Sequence, residues 1–455
     1  MILSSLRLTA LFGALSLASA QAAEPPMNVV VLVSDDHRWD SIGAAGNPVI
    51  RTPRLDALAA DGIRFSEARV TTSICMVSRA SILTGQTMSR HGVDAFGKAI
   101  PPAAFAQTYP AQLRAAGYWS GFVGKYGVGA IRPGDFDFSR QYETKHWFES
   151  ETGEPIHVTE KNARDALDFL RTRPTDKPFL LSVSFFAAHA EDRAPEQYLP
   201  QPWSAAAYEG VTIPPSPLAT EEYLAALPPF LAAPANEGRV RWGWRFDTPE
   251  RYQTYMTNYY RLITELDQAV GRIVDELKAQ GVYERTLIVF IGDNGYFHAD
   301  RGLADKWYPY EQALRVPLIV HDPRVPAQRR GGVREERVLN IDVAPTVIAA
   351  AGLPIPERIQ GRDFSALYLG PGLPDWREEF FYEHPTITSR DRIPTSWAVV
   401  RKDVKYIYWP EFEYEQLFDL VRDPTELHNL SGDPASAALQ SELRLHLTRL
   451  RERAR

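Results

Sequence analysis

The chain has 455 residues, with 50 Lys and Arg against 57 Asp and Glu, and a formal net charge of −7. At 44% hydrophobic and 24% charged, its composition excludes disordered, collagen-like and coiled-coil chains, and the mild acidity argues against a nucleic-acid binder, which needs a concentrated basic face. A single cysteine, Cys75, excludes an internal disulfide and a zinc site built on several thiolates.

Residues 1–23 read as a secretory signal peptide. Arg7 supplies the positive start, residues 8–17 form an apolar run too short to span a bilayer, and Ala18-Ser19-Ala20 and Ala20-Gln21-Ala22 both offer a small-x-small cleavage pattern. No later apolar run reaches transmembrane length. The expected mature protein is periplasmic or secreted and does not span a membrane.

Residues 28–33 (NVVVLV) form a β-branched apolar run that ends in Ser34-Asp35-Asp36. Such a run predicts a strand buried on both faces, as in a parallel sheet covered by helices. Residues 52–62 predict a helix with Leu55, Leu58 and Ala59 on one face. Two further buried strands are predicted. Residues 178–186 (PFLLSVSFF) run into Ala187-Ala188-His189, and residues 286–291 (TLIVFI) run into Gly292-Asp293-Asn294-Gly295. Open α/β sheets place their sites at the C-terminal ends of such strands, so the three point to one cleft.

Residues 191–236 are rich in proline and alanine and predict a long irregular excursion that walls the cleft. Residues 259–281 carry Leu262, Ile263, Leu266, Ala269, Val270, Ile273, Val274 and Leu277 at helical spacing, a core stripe ended by Gly281. A shorter helix is predicted over 342–351. Beyond Gly370 the texture changes to short strands at 397–401, 406–409 and 416–420, with a closing helix at 435–451. The fold class is therefore α/β: a large, mostly parallel sheet between helices over residues 24–370, then a C-terminal subdomain over 371–455 with a small antiparallel sheet and a helix. The aromatics Trp397, Tyr406, Tyr408, Trp409, Phe412, Trp242 and Trp244 could stack on sugar rings or pack the small sheet.

The strongest local signal runs from Cys75 to Gly85 (CMVSRASILTG). A helix starting near Cys75 puts Cys75 and Arg79 on one face, with the helix N-terminus adding anion-stabilising N–H groups. Asp35, Asp36, Asp293 and Asn294 offer hard oxygen ligands, which select Ca2+ or Mg2+ and disfavour zinc.

The segment from Cys75 resembles the signature of the type I sulfatases of the alkaline-phosphatase superfamily, whose pattern is Cys (or Ser)-x-Pro-x-Arg followed by a small-residue helix and Leu-Thr-Gly. The resemblance continues in order through Asp35-Asp36, Gly124-Lys125, Asp293-Asn294-Gly295, Lys306 in Asp-Lys-Trp-Tyr, Arg315-Val316-Pro317-Leu318-Ile319 and the terminal Leu417-Phe418-Asp419-Leu420 segment. It implies an alkaline-phosphatase-like fold and hydrolysis of sulfate esters. Cys75 would be oxidised to 3-oxoalanine (formylglycine) by a formylglycine-generating maturation enzyme. Its hydrate would attack sulfur, and sulfate would leave as the aldehyde re-forms. Ca2+ rather than Mg2+ would be held by Asp35, Asp36, Asp293, Asn294 and the side chain formed from Cys75. Arg79 would hold the hydrated aldehyde, Lys125 and Lys306 would bind sulfate oxygens, and His189 would be the general acid. His298, Arg301 and His384 are candidates for contacts to substrate. A sulfated glycan or a small sulfate ester is the implied substrate, and export fits a polymeric glycan.

Three positions depart from the pattern. Val77 stands where proline or alanine is usual. Gly127 replaces the histidine that usually follows Lys125 by two, with His91, His146 and His298 as substitutes that spacing cannot choose among. Arg301 replaces a frequent histidine. Two other readings stay open: a phosphonate or phosphate ester hydrolase on the same fold, and a non-catalytic glycan-binding relative that has lost formylglycine.

Overall fold

The computed structural model describes residues 26–142 and 144–455. The signal-peptide reading of residues 1–23 lies outside them. Among the described residues no helix is long and apolar enough to cross a membrane.

The central sheet has eight strands: β1 (Asn28–Ser34), β2 (Ile63–Phe65), β3 (Trp119–Gly124), β4 (Phe138–Gln141), β5 (Phe179–Ser184), β6 (Thr286–Gly292), β7 (Leu318–His321) and β8 (Gly332–Arg334). Their spatial order is β8-β2-β7-β6-β1-β5-β3-β4, and only β7 runs antiparallel to its neighbours. Central β1 is buried along its whole length. Its alternating side chains feed two cores: Val30 and Leu32 face one, Val29, Val31 and Val33 the other. This two-sided burial is why the run is continuously apolar rather than alternating.

Helices cover both faces. On one lie α1 (Pro53–Ala60), α3 (Val158–Thr172) and α5 (Pro249–Ala279), with Leu55, Phe169, Leu266 and Ile273 in the shared core. On the other lie α2 (Cys75–Thr84) and α6 (Val343–Ala350), with Ala80, Leu83, Val347 and Ile348. Helix α5 starts ten residues before the expected Tyr259, because Pro249 at its first turn and the Thr248 side chain, which accepts from the Arg251 N–H, cap it there. The proline-rich 191–236 stretch is less irregular than expected and carries short helical turns at Pro202–Tyr208, Glu221–Ala225 and Pro229–Ala232. It is followed by α4 (Glu237–Arg245).

A separate antiparallel sheet contains β9 (Glu379–His384), β10 (Ser396–Arg401), β11 (Val404–Trp409) and β12 (Tyr414–Asp419), covered by α7 (Ala437–Ala454). Strand β9 adds to the expected strands and ends at Glu383-His384: both residues are buried, and His384 pairs in register with Ser396. Tyr406 and Trp409 are fully buried, and Phe412 stacks on Phe230 at 3.9 Å, so these aromatics pack the sheet.

Four parallel strand ends are stitched together by backbone bonds. The Asp293 N–H donates to the Ser34 carbonyl at 2.9 Å, Phe185 to Val33 at 2.8 Å and Lys125 to Ser184 at 2.8 Å. Gly124 makes the last contact possible. At φ +107°, a Cβ there would lie 2.0 Å from the Ser184 oxygen. Because Leu32 is fully buried in the central strand, Leu32→Ala is expected to cost about 2–5 kcal/mol, read as a lowered urea midpoint.

Candidate active site

The loops after β1, β3, β5 and β6 and the start of α2 converge on one largely buried cluster. Helix α2 begins at Cys75 with no side-chain cap on its first amides and ends at left-handed Gly85. One turn in, Arg79 reaches across the strand ends. Its Nε donates to Asp293 at 2.8 Å, its Nη1 to the Lys125 carbonyl and to the Ser184 hydroxyl, each at 2.6 Å, and its Nη2 lies 3.2 Å from Asp35. Lys125 pairs with Asp35, and Lys306 with Asp36. Asn294 donates to Asp36 Oδ1 at 2.7 Å. His189 donates through Nδ1 to the Ala190 carbonyl at 2.6 Å, which turns Nε2 to within 3.6 Å of Asp36.

Burial dominates the electrostatics. It drives Asp293, with the Asp35 charge adding to it, up to about 7. For Asp35 burial acts in the same upward sense, but Lys125, His189, Arg79 and Lys306 outweigh it and hold the carboxyl below its usual range. His189 is pushed down by burial and then by Lys306. Burial raises the Cys75 thiol despite Lys125 and Lys306, so the unmodified side chain is kept protonated and is a poor nucleophile.

A cation fits this donor set. Asp35 Oδ1, Asp36 Oδ2 and Asn294 Oδ1 are all buried and accept no hydrogen bond. Buried polar atoms are rarely left so, and three orphaned oxygens from two adjacent strand ends point to an ion. Ligand atoms of Asp35, Asp36 and Asp293 lie within 4.8 Å of one another, as do those of Asp35, Cys75 and His189. All-oxygen donors suit Ca2+ or Mg2+.

Nine of the residues predicted from sequence meet here: Asp35, Asp36, Cys75, Arg79, Lys125, His189, Asp293, Asn294 and Lys306. Three others do not. His298 packs edge-on against Tyr259, ring centres 4.6 Å apart, with the Tyr259 hydroxyl donating to the Asp36 carbonyl in front of it. Arg301, on a left-handed turn at φ 56°, donates to the Thr425 carbonyl and lies 3.7 Å from Glu426. His384 is buried at the end of β9 and donates to the Pro385 carbonyl at 2.8 Å. No hydrogen bond or ion pair joins any of the three side chains to the cluster among the described residues.

The vacancy at Gly127 also has a structural account. The residue is left-handed at φ +77°, and a Cβ would meet Arg79 Cδ at 2.9 Å. Of the substitutes for the missing histidine, His91 bonds to Ser81 of α2, and His146 stacks on His157 and tilts against Phe186. Sequence reasoning missed Ser184 and Tyr259. Ser184 is a polar residue closing an apolar strand, a signal that was legible; Tyr259 lies within a helical stripe and looks like core.

The chain is similar to known proteins over most of its length. A family profile described as Sulfatase matches residues 27–353, and one described as N-sulphoglucosamine sulphohydrolase, C-terminal, matches residues 299–453. An N-acetylglucosamine-6-O-sulfatase of Bacteroides thetaiotaomicron is 25% identical, over 91% of this chain and 84% of its own. Two solved structures share the fold. One, BT4656 in complex with its substrate D-glucosamine-2-N,6-O-disulfate, has a TM-score of 0.79 at 23% identity, covering 94% of this chain and 98% of that one. The other, a phosphonate monoester hydrolase from Silicibacter pomeroyi, has a TM-score of 0.80 at 23% identity, covering 94% and 96%.

Arg79 compensates two buried carboxylates at once. Arg79→Ala is expected to cost about 3–5 kcal/mol of stability in metal-free buffer, measured by chemical denaturation, because it leaves Asp35 and Asp293 short of a partner.

Proposed function

The chain belongs to the sulfatase family of the alkaline-phosphatase superfamily and is a sulfuric ester hydrolase, and from that premise we propose that it acts on a sulfated carbohydrate through a formylglycine formed from Cys75 and a bound Ca2+. The observation that carries this reading is the set of three orphaned oxygens beside a helix-initiating cysteine flanked by two lysines. Asp35, Asp36, Asp293 and Asn294 would hold the cation, which when bound polarises sulfate oxygens. Formylglycine would supply, as its hydrate, an oxygen nucleophile at a position where burial disfavours a thiolate.

The side chains already in place would do the rest. Lys125 and Lys306 would take sulfate oxygens, as rigid charges held by Asp35 and Asp36. His189, its Nδ1 fixed on Ala190, would deliver a proton from Nε2 to the departing alcohol. Lys306 and Lys125 depress His189, so an anionic sulfate bound between them would offset that effect and favour the protonated acid at the moment it is needed. Arg79 would keep Asp293 and Asp35 in register with Cys75. Gly127 leaves no histidine two residues beyond Lys125, and His189 is the one imidazole that approaches the acidic trio among the described residues. The relatives named for glucosamine substrates support a sulfated glucosamine unit, although others are named arylsulfatases. An exported enzyme would meet such glycans before import.

Co-expression with a formylglycine-generating enzyme should convert Cys75 to the aldehyde, read by mass spectrometry of its peptide. A panel of sulfated mono- and oligosaccharides, with a phosphonate monoester as the competing substrate, should then release sulfate. A wholly unmodified thiol with no sulfate released, or faster turnover of the phosphonate, would overturn the reading. Cys75→Ala should abolish turnover, and Lys306→Ala should lower kcat by about 10²–10³. Calcium should raise the melting temperature and chelation should reverse it. Asp36→Asn should lose that response, since it removes one of the orphaned carboxylate oxygens.

A further inference from the structure

A second charged cluster adjoins the first and plays no part in the mechanism above. Helix α4 presents Arg241 and Arg245, four residues apart, on one face. Both reach Asp192 and Asp305. Arg241 Nη1 lies 2.5 Å from Asp192 Oδ1 and 3.2 Å from Asp305, and Arg245 lies 3.0 Å from Asp192 Oδ1 and 2.7 Å from Asp305. Asp305 immediately precedes Lys306, and Asp192 follows His189 by three. His189 and Asp192 are close enough to feel each other's charge. Arg245 is completely buried, locked by the Tyr296 hydroxyl at 2.5 Å and the Gln197 side chain at 2.6 Å.

Asp192 is the exposed member. Its side chain is 33% accessible, against 1% for Asp305. Both arginines bind the same oxygen, Oδ1, and Oδ2 accepts no hydrogen bond among the described residues. Arg241 also pairs with Glu237 at 2.8 Å, and Arg392 pairs with the other Glu237 oxygen, so three guanidiniums meet three carboxylates and the charges balance. Asp192 is thus a rigidly held carboxylate with one oxygen, Oδ2, left over. It is well suited to accept from a hydroxyl or an amine.

Resting on the sulfate-ester reading, we propose that Asp192 is a specificity-determining residue that accepts a hydrogen bond from a hydroxyl or amine on the sugar ring carrying the scissile sulfate, with Arg241 and Arg245 as positioning residues. A carboxylate clamped in advance loses little freedom on binding, and a site built around a donor rejects an analogue that lacks it. A carboxylate or a second sulfate at the same position would offer Asp192 Oδ2 no donor.

The experiment compares the formylglycine-bearing enzyme with its Asp192→Ala and Asp192→Asn variants on 4-nitrophenyl sulfate and on the monosulfated isomers of glucose and glucosamine. The ratio of kcat/KM on sugar sulfate to that on 4-nitrophenyl sulfate should fall by about tenfold in Asp192→Ala, mostly through KM, with Asp192→Asn between. Loss of the same size on glucose and glucosamine esters identifies the hydroxyl as donor; loss confined to glucosamine identifies the amine. An unchanged ratio, the pattern of a merely structural role, overturns the proposal. Calorimetric titration of the same sugar sulfates into Cys75→Ala and Cys75→Ala/Asp192→Ala proteins reads the contact without turnover. Equal affinities would refute it. Weaker binding in the double variant, together with an inactive parent enzyme, would sink the hydrolytic reading and keep the contact.

Discussion

Everything at this site follows from burying three carboxylates at the ends of adjacent parallel strands. Asp35, Asp36 and Asp293 are fully buried, and unpaired charges there would be very costly. The fold answers with three cations from three different segments, Arg79, Lys125 and Lys306. The match is close in charge and incomplete in hydrogen bonding, because three ligand oxygens are left without donors. A structural ion-pair cluster would close those gaps, since buried networks stabilise only when fully satisfied. This one stays open toward Cys75.

That constraint explains features which look unrelated along the chain. Gly124 lets Lys125 turn under the Ser184 carbonyl toward Asp35. The start of α2 at Cys75 brings Arg79 onto two strand ends. The bond from Nδ1 of His189 to its own loop aims Nε2 at Asp36. The second layer repeats the device with α4: Arg245 and Arg241 hold Asp305 behind Lys306 and Asp192 at the rim. One layer is built to receive negative charge. The other leaves a carboxylate edge facing solvent, so adjacent parts of one ligand would meet opposite demands.

Much of this was legible in the residues themselves. The runs ending at Asp35-Asp36, His189 and Asp293-Asn294 are continuous because both faces of those strands are buried, and that pattern is local. The C-terminal strand β9 was missed because it ends at a proline and its Glu383 and His384 resemble a surface turn. They are buried only because Ser89 donates to Glu383 and the sheet encloses His384. Arg301 and His298 look like site residues by their distance from Asp293. A left-handed turn sends the first toward Glu426, and the second packs against the Tyr259 ring, whose hydroxyl rather than the histidine bonds the Asp36 carbonyl.

The sequence by itself determined the chemistry on offer: hard oxygen donors after buried strands, one thiol at a helix start, and lysines and a histidine at loop positions. Each of these is a matter of residue type and short-range period, which the chain carries locally. Only the tertiary structure decided which cation meets which carboxylate, which oxygens stay unpartnered, and that Asp192 stands at the rim. Those pairings join segments as far apart as Asp36 and Lys306, and strand order and side-chain burial set such distances, which no local pattern encodes.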